Sequence, residues 1–348
     1  MRAARFHARQ DVRIDDVPEP APGPGQVLLR PGYAGICGSD LHLVHAPEAV
    51  GVDPTRPHPL TGAQPPQVMG HEFAGTVEQV GEGVTTVRPG DRAAVFPIFS
   101  CGRCAACTTG RVNACRTVGF LGLTAEGGGM SEHVVVAAER LHLLPDGVDL
   151  RLGALVEPMA VAWRAVTASR VRPGGSALVA GAGPIGIGLW FALRARGVER
   201  VVVSEPSAVR RAAVAALGAH VVDPAAEDLA KTVDPLTDGA GVDAAFDAAG
   251  AAPAFLATLA SLTPGGRAVV VAAHEQAVEL NPTMLVLGET EVVGSLAYLP
   301  ADFDAVIAAM AEGAYDTTGW VEERPLADLL AALADLGEAR ASKILLTI

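Results

Sequence analysis

The chain has 348 residues, of which 50% are hydrophobic and 19% are charged, with a formal net charge of −13. This composition supports large buried cores and excludes a disordered chain, while the acidity argues against binding of nucleic-acid phosphates. Because the N-terminus has no apolar signal segment and no hydrophobic run reaches about 20 residues, we expect a cytoplasmic protein that does not bind membranes.

The first 150 residues predict an all-β unit with long loops. Pro and Gly interrupt this part of the chain at short intervals, and the β-type runs between them are short. The predicted strands are Gln26–Arg30, Ala74–Val80, Arg92–Phe96 and Ser131–Ala137.

After Leu150 the chain alternates between predicted strands and helices, as is typical of a parallel, doubly wound sheet. The predicted helices are Val156–Ala168, Ile185–Arg196, Ala208–Leu217, Ala254–Leu262, Leu299–Glu312 and Leu326–Leu336. The predicted strands are Ala177–Ala180, Arg200–Ser204, His220–Val222, Ala244–Asp247, Ala268–Val271 and Lys343–Ile348. We expect the last strand to return to the β-rich domain, since the final fifty residues do not resemble a third domain.

A glycine-rich turn follows the strand that ends at Ala180, in the segment SALVAGAGPIG. Its spacing is Gly181-x-Gly183-x-x-Gly186, and the predicted helix follows from Ile185. Pro184 and Ile185 are predicted, with the three glycines, to contact the cofactor. The first glycine permits a tight turn, the second lets the backbone approach a pyrophosphate, and the third allows close helix packing. The strand and helix around the turn favour a dinucleotide site over a simple βα turn, because free N–H groups at the helix start bind phosphates.

The next predicted strand, Arg200–Ser204, ends at Glu205. An acidic side chain here accepts hydrogen bonds from a ribose 2′-hydroxyl and repels a 2′-phosphate, so the sequence favours NAD over NADP. Arg210 and Arg211 lie nearby. They are either cations that contact the cofactor, which would suit NADP, or solvated charges of a helix.

Four of the five cysteines lie in one short segment, CGRCAACTTGRVNAC. This spacing suits a tetrahedral, all-thiolate structural zinc site with no open coordination position. An iron–sulfur cluster is the competing interpretation, since short CxxCxxC runs also bind such clusters, and disulfides are a weaker one in a reducing compartment. The four predicted ligands are Cys101, Cys104, Cys107 and Cys115.

The fifth cysteine, Cys37, belongs to a second candidate metal site. It lies in GICGSDLH, and His71 and Glu72 follow about thirty residues later, while Glu157 opens the α/β part of the chain. Cys, His and carboxylate together form the ligand set of a catalytic zinc that keeps one position open. Each residue alone also has an ordinary interpretation as a buried thiol, a hydrogen-bonded histidine or a residue at a helix start.

These motifs make the chain resemble the zinc-containing medium-chain dehydrogenases over essentially its whole length. The resemblance rests on GICGSDLH, GHEFAGTVEQVGEGV with PGDRAAV, the four-cysteine loop, GAGPIG and FDAAG. It is strongest to the branch of 2,3-butanediol and sorbitol dehydrogenases, through HPLTGAQPPQVMGHEF, TVGFLGL and EPMAVAW.

The resemblance implies a role for each residue of the second metal site. Cys37 and His71 match the usual pair of catalytic zinc ligands. Glu72 matches a carboxylate that ligates zinc in some members and exchanges with water in others. Glu157 matches the carboxylate that this branch uses where other alcohol dehydrogenases have a second cysteine.

The resemblance also implies a proton relay and a further cofactor contact. Ser39 matches the hydroxyl that accepts the proton of the substrate, and His42 matches the histidine that passes the proton to solvent. Asp40 is expected to orient the ring of His71. Lys343 matches a basic residue that reaches the cofactor phosphates.

The fold implied is an α/β Rossmann domain, residues 156–295, with a mostly-β GroES-like catalytic domain formed by residues 1–155 and 296–348. The implied cofactors are a catalytic zinc, a structural zinc and NAD, and the implied assembly is a homodimer or homotetramer. The expected reaction moves hydride between a secondary alcohol and NAD in a cleft between the domains, with 2,3-butanediol/acetoin as the first substrate.

Other functions remain open at this point. Sorbitol or another polyol and L-threonine are alternative substrates, and a non-catalytic sensor that binds zinc and a dinucleotide is the alternative from another class. Two positions depart from the pattern of the branch: Arg164 stands where a histidine is usual, and Met130 replaces an aromatic residue.

Overall fold

The computed structural model describes residues 1–348, apart from the side chain of residue 230. Contacts divide the chain into two compact units. Unit 1 comprises Met1–Glu157, Leu299–Ala311 and Val321–Ile348, and unit 2 comprises Pro158–Tyr298 and Glu312–Trp320. The domain boundaries expected from the sequence stay a prediction.

Eighteen strands and eleven α-helices form the described part of the chain. The strands are β1 Arg2–Ala8, β2 Asp11–Asp16, β3 Gln26–Gly35, β4 Gln67–Val68, β5 Glu72–Val80, β6 Arg92–Val95, β7 Ile98–Phe99, β8 Gly119–Phe120, β9 Val134–Ala137, β10 Leu141–Leu143, β11 Ser176–Ala180, β12 Arg200–Ser204, β13 His220–Val222, β14 Val242–Asp247, β15 Leu262–Val270, β16 Glu291–Gly294, β17 Val321–Pro325 and β18 Lys343–Thr347. The helices are α1 Gly38–His45, α2 Ala105–Thr108, α3 Leu150–Gly153, α4 Val156–Ser169, α5 Pro184–Ala195, α6 Ala208–Ala216, α7 Leu229–Thr237, α8 Ala252–Ala260, α9 Thr283–Gly288, α10 Pro300–Ala311 and α11 Leu329–Gly337.

Unit 1 is built on a seven-stranded sheet of order β10-β6-β5-β3-β18-β17, in which β9 also pairs with β3. Its core contains Phe6, Leu29 and Phe73, each no more than 1% exposed. The last strand, β18, pairs antiparallel with β3. The expectation that the final strand returns to the β-rich part of the chain is therefore confirmed.

Unit 2 is built on a six-stranded sheet of order β13-β12-β11-β14-β15-β16, in which every pairing is parallel. All five residues of β11 are buried. A strand buried on both faces reads as a continuous apolar run, which is why SALVA and RVVVS were detectable in the sequence. The predicted fold class, a Rossmann-type parallel sheet with a second, mostly-β domain, is confirmed.

Several strands near the N-terminus of the chain and in its last third lie outside the predicted elements. In β1, the buried positions are Ala3, Ala4 and Phe6, which alternate poorly with charged neighbours. Its partner β2 has a single buried side chain, Val12.

Among the described residues, every helix is too short or too polar to cross a bilayer.

Candidate active site

Strand pairing in unit 1 brings together two sequence segments that are more than thirty residues apart. Gly35 at the end of β3 is paired directly with Glu72 at the start of β5. Cys37, two residues beyond Gly35, and His71, one residue before Glu72, therefore meet at the same end of the two strands. The ligand atoms of Cys37, His71 and Glu72 all lie within 4.8 Å of one another.

The group is buried, and Asp40 closes one side of it. His71 is 3% exposed and Asp40 is fully buried. Asp40 Oδ2 accepts a hydrogen bond from the backbone N–H of Cys37 at 2.9 Å, and Oδ1 lies 3.7 Å from His71 Nδ1. Burial acts to lower the pKa of His71, but the charges of Asp40 and Cys37 outweigh it and raise that pKa well above its ordinary value. Burial raises the pKa of Asp40.

Two buried polar atoms of this group bear on whether its residues fit a metal ion. Within the described part of the chain, buried His71 Nδ1 and Asp40 Oδ1 have no hydrogen-bond partner. A metal ion on His71 Nε2 would fix the ring proton on Nδ1, the nitrogen that faces Asp40. Thiolate, imidazole and carboxylate donors match zinc, so the residues fit a catalytic zinc ion.

Helix α1 carries a hydroxyl group, that of Ser39, and an imidazole group, that of His42, close in sequence to the metal ligand Cys37. Ser39 Oγ lies 3.1 Å from His71 Nε2, so its hydroxyl adjoins the position where a metal on that nitrogen would be. His42 follows one turn later on α1 and is exposed to solvent. This arrangement agrees with the expected sequence of relay groups, whose roles stay a prediction.

Lys343 lies beside the metal ligands in unit 1. Its Nζ forms an ion pair with the Glu72 carboxylate and donates to the carbonyl of Ile36 at 2.9 Å, and the side chain is 2% exposed. Burial acts to lower the pKa of Lys343, but the charges of Glu72 and Cys37 raise it. The ammonium group is thus enclosed beside the metal ligands, and the expected contact with cofactor phosphates stays a prediction.

Glu157 lies close to the same group without joining its innermost set. It is 6% exposed and near enough for its charge to act on both His71 and Lys343. Its carboxylate falls outside the set of ligand atoms that approach within 4.8 Å. Of the two candidate carboxylates, Glu72 is thus nearer to Cys37 and His71 but is engaged by Lys343.

The four cysteines of the loop converge on one point. Their ligand atoms lie within 4.8 Å of one another, with the Cys104 and Cys107 sulfurs 3.5 Å apart and the Cys101 and Cys107 sulfurs 4.0 Å apart. Zinc–sulfur bonds of 2.3 Å in a tetrahedron require sulfurs about 3.8 Å apart, so these residues fit a single zinc ion. All the cysteines are free thiols, which rejects the disulfide alternative.

Two thiols of the four-cysteine loop, those of Cys104 and Cys107, differ in pKa. Backbone N–H groups of Cys107 and Arg116 lower the pKa of Cys104 to about 6. Burial and the neighbouring sulfurs raise the pKa of Cys107 to about 11. Bound zinc would remove this difference, because a metal-bound thiol is deprotonated.

The glycine-rich turn of unit 2 has the geometry that its spacing predicts. Gly181 has a φ of 102°, a left-handed conformation that side chains disfavour. A Cβ on Gly186 would lie 1.9 Å from the carbonyl oxygen of Gly181, whereas a Cβ on Gly183 would meet open space. Gly183 caps α5, with Pro184 in its first turn and Ile185 after it. The open side of Gly183 beside a helix start suits a phosphate.

Glu205 lies at the carboxyl end of β12, next to this turn. Its Oε2 accepts from the backbone N–H of Ala182 at 2.8 Å and its Oε1 from that of Ser207 at 2.9 Å. A carboxylate has about four acceptor positions, so it keeps the capacity to bind a ribose hydroxyl.

The two arginines of α6 differ in their contacts. Arg211 is engaged by Asp223 at 2.7 Å and by the carbonyls of Glu205 and Pro206. Arg210 lies in the first turn of α6, where its backbone N–H donates to the capping Ser207. A contact of Arg210 with the cofactor stays a prediction.

Comparison with known proteins shows the family of the chain. Residues 23–146 match the alcohol dehydrogenase GroES-like domain, and residues 184–312 match the zinc-binding dehydrogenase family. The chain is 40% identical to (R,R)-butanediol dehydrogenase of Bacillus subtilis, an alignment that covers 94% of this chain and 93% of that protein.

Solved structures give the same result. The crystal structure of 2R,3R-butanediol dehydrogenase from Bacillus subtilis superposes with a TM-score of 0.92 at 38% identity, covering 100% of this chain and 99% of the other. An Escherichia coli CFT073 alcohol dehydrogenase complexed with NADH superposes with a TM-score of 0.87 at 26% identity, with coverage of 100% and 99%. The chain therefore belongs to the zinc-binding alcohol dehydrogenase family and is an oxidoreductase that acts on CH–OH groups.

Proposed function

We propose that the enzyme moves hydride between NAD and a secondary alcohol of a vicinal diol, with 2,3-butanediol and acetoin as the substrate pair. The observation that carries this proposal is the buried group of Cys37, His71 and Glu72, whose ligand atoms lie within 4.8 Å of one another. The butanediol dehydrogenase of Bacillus subtilis, 40% identical over nearly the whole chain, supports the choice of substrate.

In this mechanism, bound zinc supplies Lewis acidity that lowers the pKa of an alcohol, and NAD supplies the hydride acceptor. Ser39 accepts the proton of the substrate hydroxyl, because its Oγ adjoins His71 Nε2 at 3.1 Å. His42, exposed on the same helix, passes the proton to solvent. Asp40 orients the imidazole of His71 through Nδ1.

The ligand set of this zinc ion consists of Cys37, His71 and a carboxylate, and both Glu72 and Glu157 are candidates for the third position. Glu72 must weaken its ion pair with Lys343 to bind metal, whereas Glu157 lies outside the innermost group. Zinc content of the Glu72→Gln and Glu157→Gln variants separates the two. The variant that removes the resident ligand leaves about one zinc ion per chain, the structural one.

We propose NAD as the preferred cofactor because Glu205 is positioned beside the glycine-rich turn. Its carboxylate would repel a 2′-phosphate. Arg211, the nearby cation that could favour NADP, is held by Asp223 and two carbonyl groups. The ratio of kcat/KM with NAD to kcat/KM with NADP tests this preference, and an excess for NADP would contradict it.

The remaining zinc ion is assigned to Cys101, Cys104, Cys107 and Cys115, where it has a structural role. Four protein ligands leave no position for substrate. Thiolates around an iron–sulfur cluster bind different iron atoms, whereas the 3.5 and 4.0 Å sulfur distances suit one ion. Such a site needs reduced thiols, which agrees with the expected location in the cytoplasm.

We propose that the chain forms a homodimer through β16. This strand is at an end of the unit 2 sheet, so one side of its backbone is available for pairing. Exposed apolar side chains lie on and around it: Met284, Val286, Leu287, Val292 and Leu296. Antiparallel pairing of β16 with its copy would satisfy two-fold symmetry and bury these side chains.

Sedimentation velocity tests this assembly. Val292→Lys places a charge in the proposed interface and is expected to shift the protein toward monomer. Leu330→Lys, at an exposed position of α11, is the matched control and should leave the assembly unchanged. A Val292→Lys variant that sediments like the wild type would contradict the proposed interface, and a homotetramer would require a second one.

The function is tested by a substrate screen in which reduced-cofactor absorbance is followed. We expect kcat/KM for 2,3-butanediol to exceed that for sorbitol and L-threonine, and acetoin to be reduced by NADH. A higher kcat/KM for sorbitol or threonine than for 2,3-butanediol would overturn the assignment of 2,3-butanediol as the substrate. Absence of turnover with any of them, together with only one zinc ion per chain, would favour the non-catalytic sensor.

A further inference from the structure

A hydrogen-bonded pair of a buried aspartate and a partly exposed histidine lies at the carboxyl edge of the parallel sheet in unit 2. Asp247 is the last residue of β14, and His274 follows the end of β15 by four residues. His274 Nε2 donates to Asp247 Oδ2 at 2.6 Å. The Asp247 side chain is 1% exposed and that of His274 is 18% exposed. Ligands of such sheets bind beyond the carboxyl ends of the strands, so the pair lies at the functional edge.

Asp247 holds the turn that follows β14. Its Oδ1 accepts from the backbone N–H groups of Ala249 and Gly250, at 3.1 and 3.0 Å. Its backbone carbonyl accepts from Val271 and Ala272, both at 3.0 Å. Oδ1 of the carboxylate therefore holds the turn at 248–250. Oδ2 holds the loop after β15 through its hydrogen bond with His274.

The turn at 248–250 in turn contacts the glycine-rich turn. A Cβ on Gly181 would lie 3.1 Å from the carbonyl carbon and oxygen of Ala248 and from the nitrogen of Ala249. The backbone N–H of Ala248 also donates to the carbonyl of Ala180, the residue before Gly181, at 2.9 Å. Any displacement of the 248–250 turn is thus transmitted to the segment that presents N–H groups to a pyrophosphate.

We infer that His274 is a positioning residue for the dinucleotide, acting through Asp247 and the 248–250 turn on the glycine-rich turn. The inference rests on the proposed binding of NAD at Gly181–Gly186. Removal of the His274 donor leaves Oδ2 of the buried Asp247 carboxylate without a hydrogen bond. Asp247 must then rearrange, which loosens the turn at 248–250. Affinity for the dinucleotide falls, while Ser39 and the zinc ligands in unit 1 keep their contacts.

Three variants of the full-length, zinc-loaded enzyme test the inference. His274→Phe keeps the ring contact with Phe255, whose centroid lies 6.0 Å away, but removes the donor. His274→Gln places an amide N–H where Nε2 donates and should rescue binding. His220→Phe changes an exposed histidine of β13 in the same sheet and is the matched control.

For each variant we would measure the Kd for NADH by fluorescence titration, the KM for NAD, and kcat at saturating NAD. We expect His274→Phe to raise both the Kd for NADH and the KM for NAD about tenfold, without a decrease in kcat. His274→Gln should stay within about threefold of the wild type, and His220→Phe should bind as the wild type does.

Unchanged NADH affinity in His274→Phe would overturn the inference while leaving the proposed function intact. Equal losses in His274→Phe and His274→Gln would also overturn it, because the donor would then not be responsible. A wild-type enzyme that fails to bind NADH would overturn the inference together with the proposed function. A decrease in kcat with unchanged Kd would contradict a positioning role toward the dinucleotide.

Discussion

Lys343 and Glu72 form an ion pair in which both side chains are almost completely buried, with 2% and 1% of their areas exposed. The pair adjoins Cys37 and His71, since the carboxylate belongs to the same group of ligand atoms. A buried charge pair of this kind is costly to break, because either partner alone is left uncompensated. Because the ion pair lies next to a metal site, its removal should change both the free energy of unfolding and the affinity for zinc.

Removal of the Lys343 ammonium group should destabilise the fold while leaving the affinity for NADH nearly unchanged. We expect Lys343→Met to lower the free energy of unfolding by about 3–5 kcal/mol, because the Glu72 carboxylate loses its buried partner. Urea denaturation measures this change. NADH affinity should stay within about twofold of the wild type. A large loss of NADH affinity at unchanged stability would instead support the contact with cofactor phosphates that the sequence suggested.

The same pair should make two substitutions non-additive in zinc binding. We expect Glu72→Gln to weaken binding at the catalytic site, since Lys343 is then left as an uncompensated positive charge beside Cys37 and His71. Glu72→Gln combined with Lys343→Met should recover part of the affinity, by about 0.5–3 kcal/mol of coupling. Competition titration with a chromogenic chelator measures the four affinities. Strictly additive losses would contradict a direct coupling between the pair and the metal.

Loss of the Ser39 hydroxyl should affect turnover rather than binding. Ser39→Ala is expected to lower kcat by about 10²–10⁴, the usual contribution of a positioned acid–base group. Zinc content and the Kd for NADH should be unchanged, because the carbon skeleton at this position remains. Steady-state oxidation of 2,3-butanediol measures the effect. A variant that keeps full kcat would remove Ser39 from the proton relay.

The thiols of the four-cysteine loop should differ in reactivity once zinc is removed. In zinc-free protein at pH 7.5, Cys104 is mostly thiolate because its pKa is about 6, whereas Cys107, with a pKa of about 11, is protonated. Iodoacetamide should therefore alkylate Cys104 before Cys107, as peptide mass spectrometry would show. Bound zinc should protect both. Equal rates in the zinc-free protein would contradict the hydrogen bonding seen around Cys104.

Features encoded in short segments were accessible from the sequence. The four cysteines lie in one loop, and the glycine-rich turn joins adjacent elements, so local spacing determines each geometry. Arg200–Ser204 was predicted with the bounds that the structure has, because buried β-branched residues run continuously through it. The roles assigned to individual ligands and relay groups came from the family resemblance and stay predictions.

Features that depend on distant strand pairing were not accessible. Lys343 reaches Glu72 because β18 pairs with β3, with Leu345 opposite Gly35, and Gly35 pairs with Glu72 on its other side. The two charged residues are 271 positions apart in the chain. Local spacing carries no information on that register, and only the family resemblance related this basic residue to a role. His274 was missed for the same reason, although FDAAG marked its partner Asp247.

We propose that Cys37 and His71 hold a catalytic zinc ion that is distinct from the zinc of the four-cysteine loop. The most direct test is the Cys37→Ala variant, assayed for zinc content, oxidation of 2,3-butanediol and NADH binding. We predict that zinc falls from about two ions per chain to about one, that diol oxidation is lost, and that the Kd for NADH stays within about twofold of the wild type. Full diol oxidation by Cys37→Ala, or an unchanged zinc content, would contradict a catalytic zinc ion on Cys37 and His71.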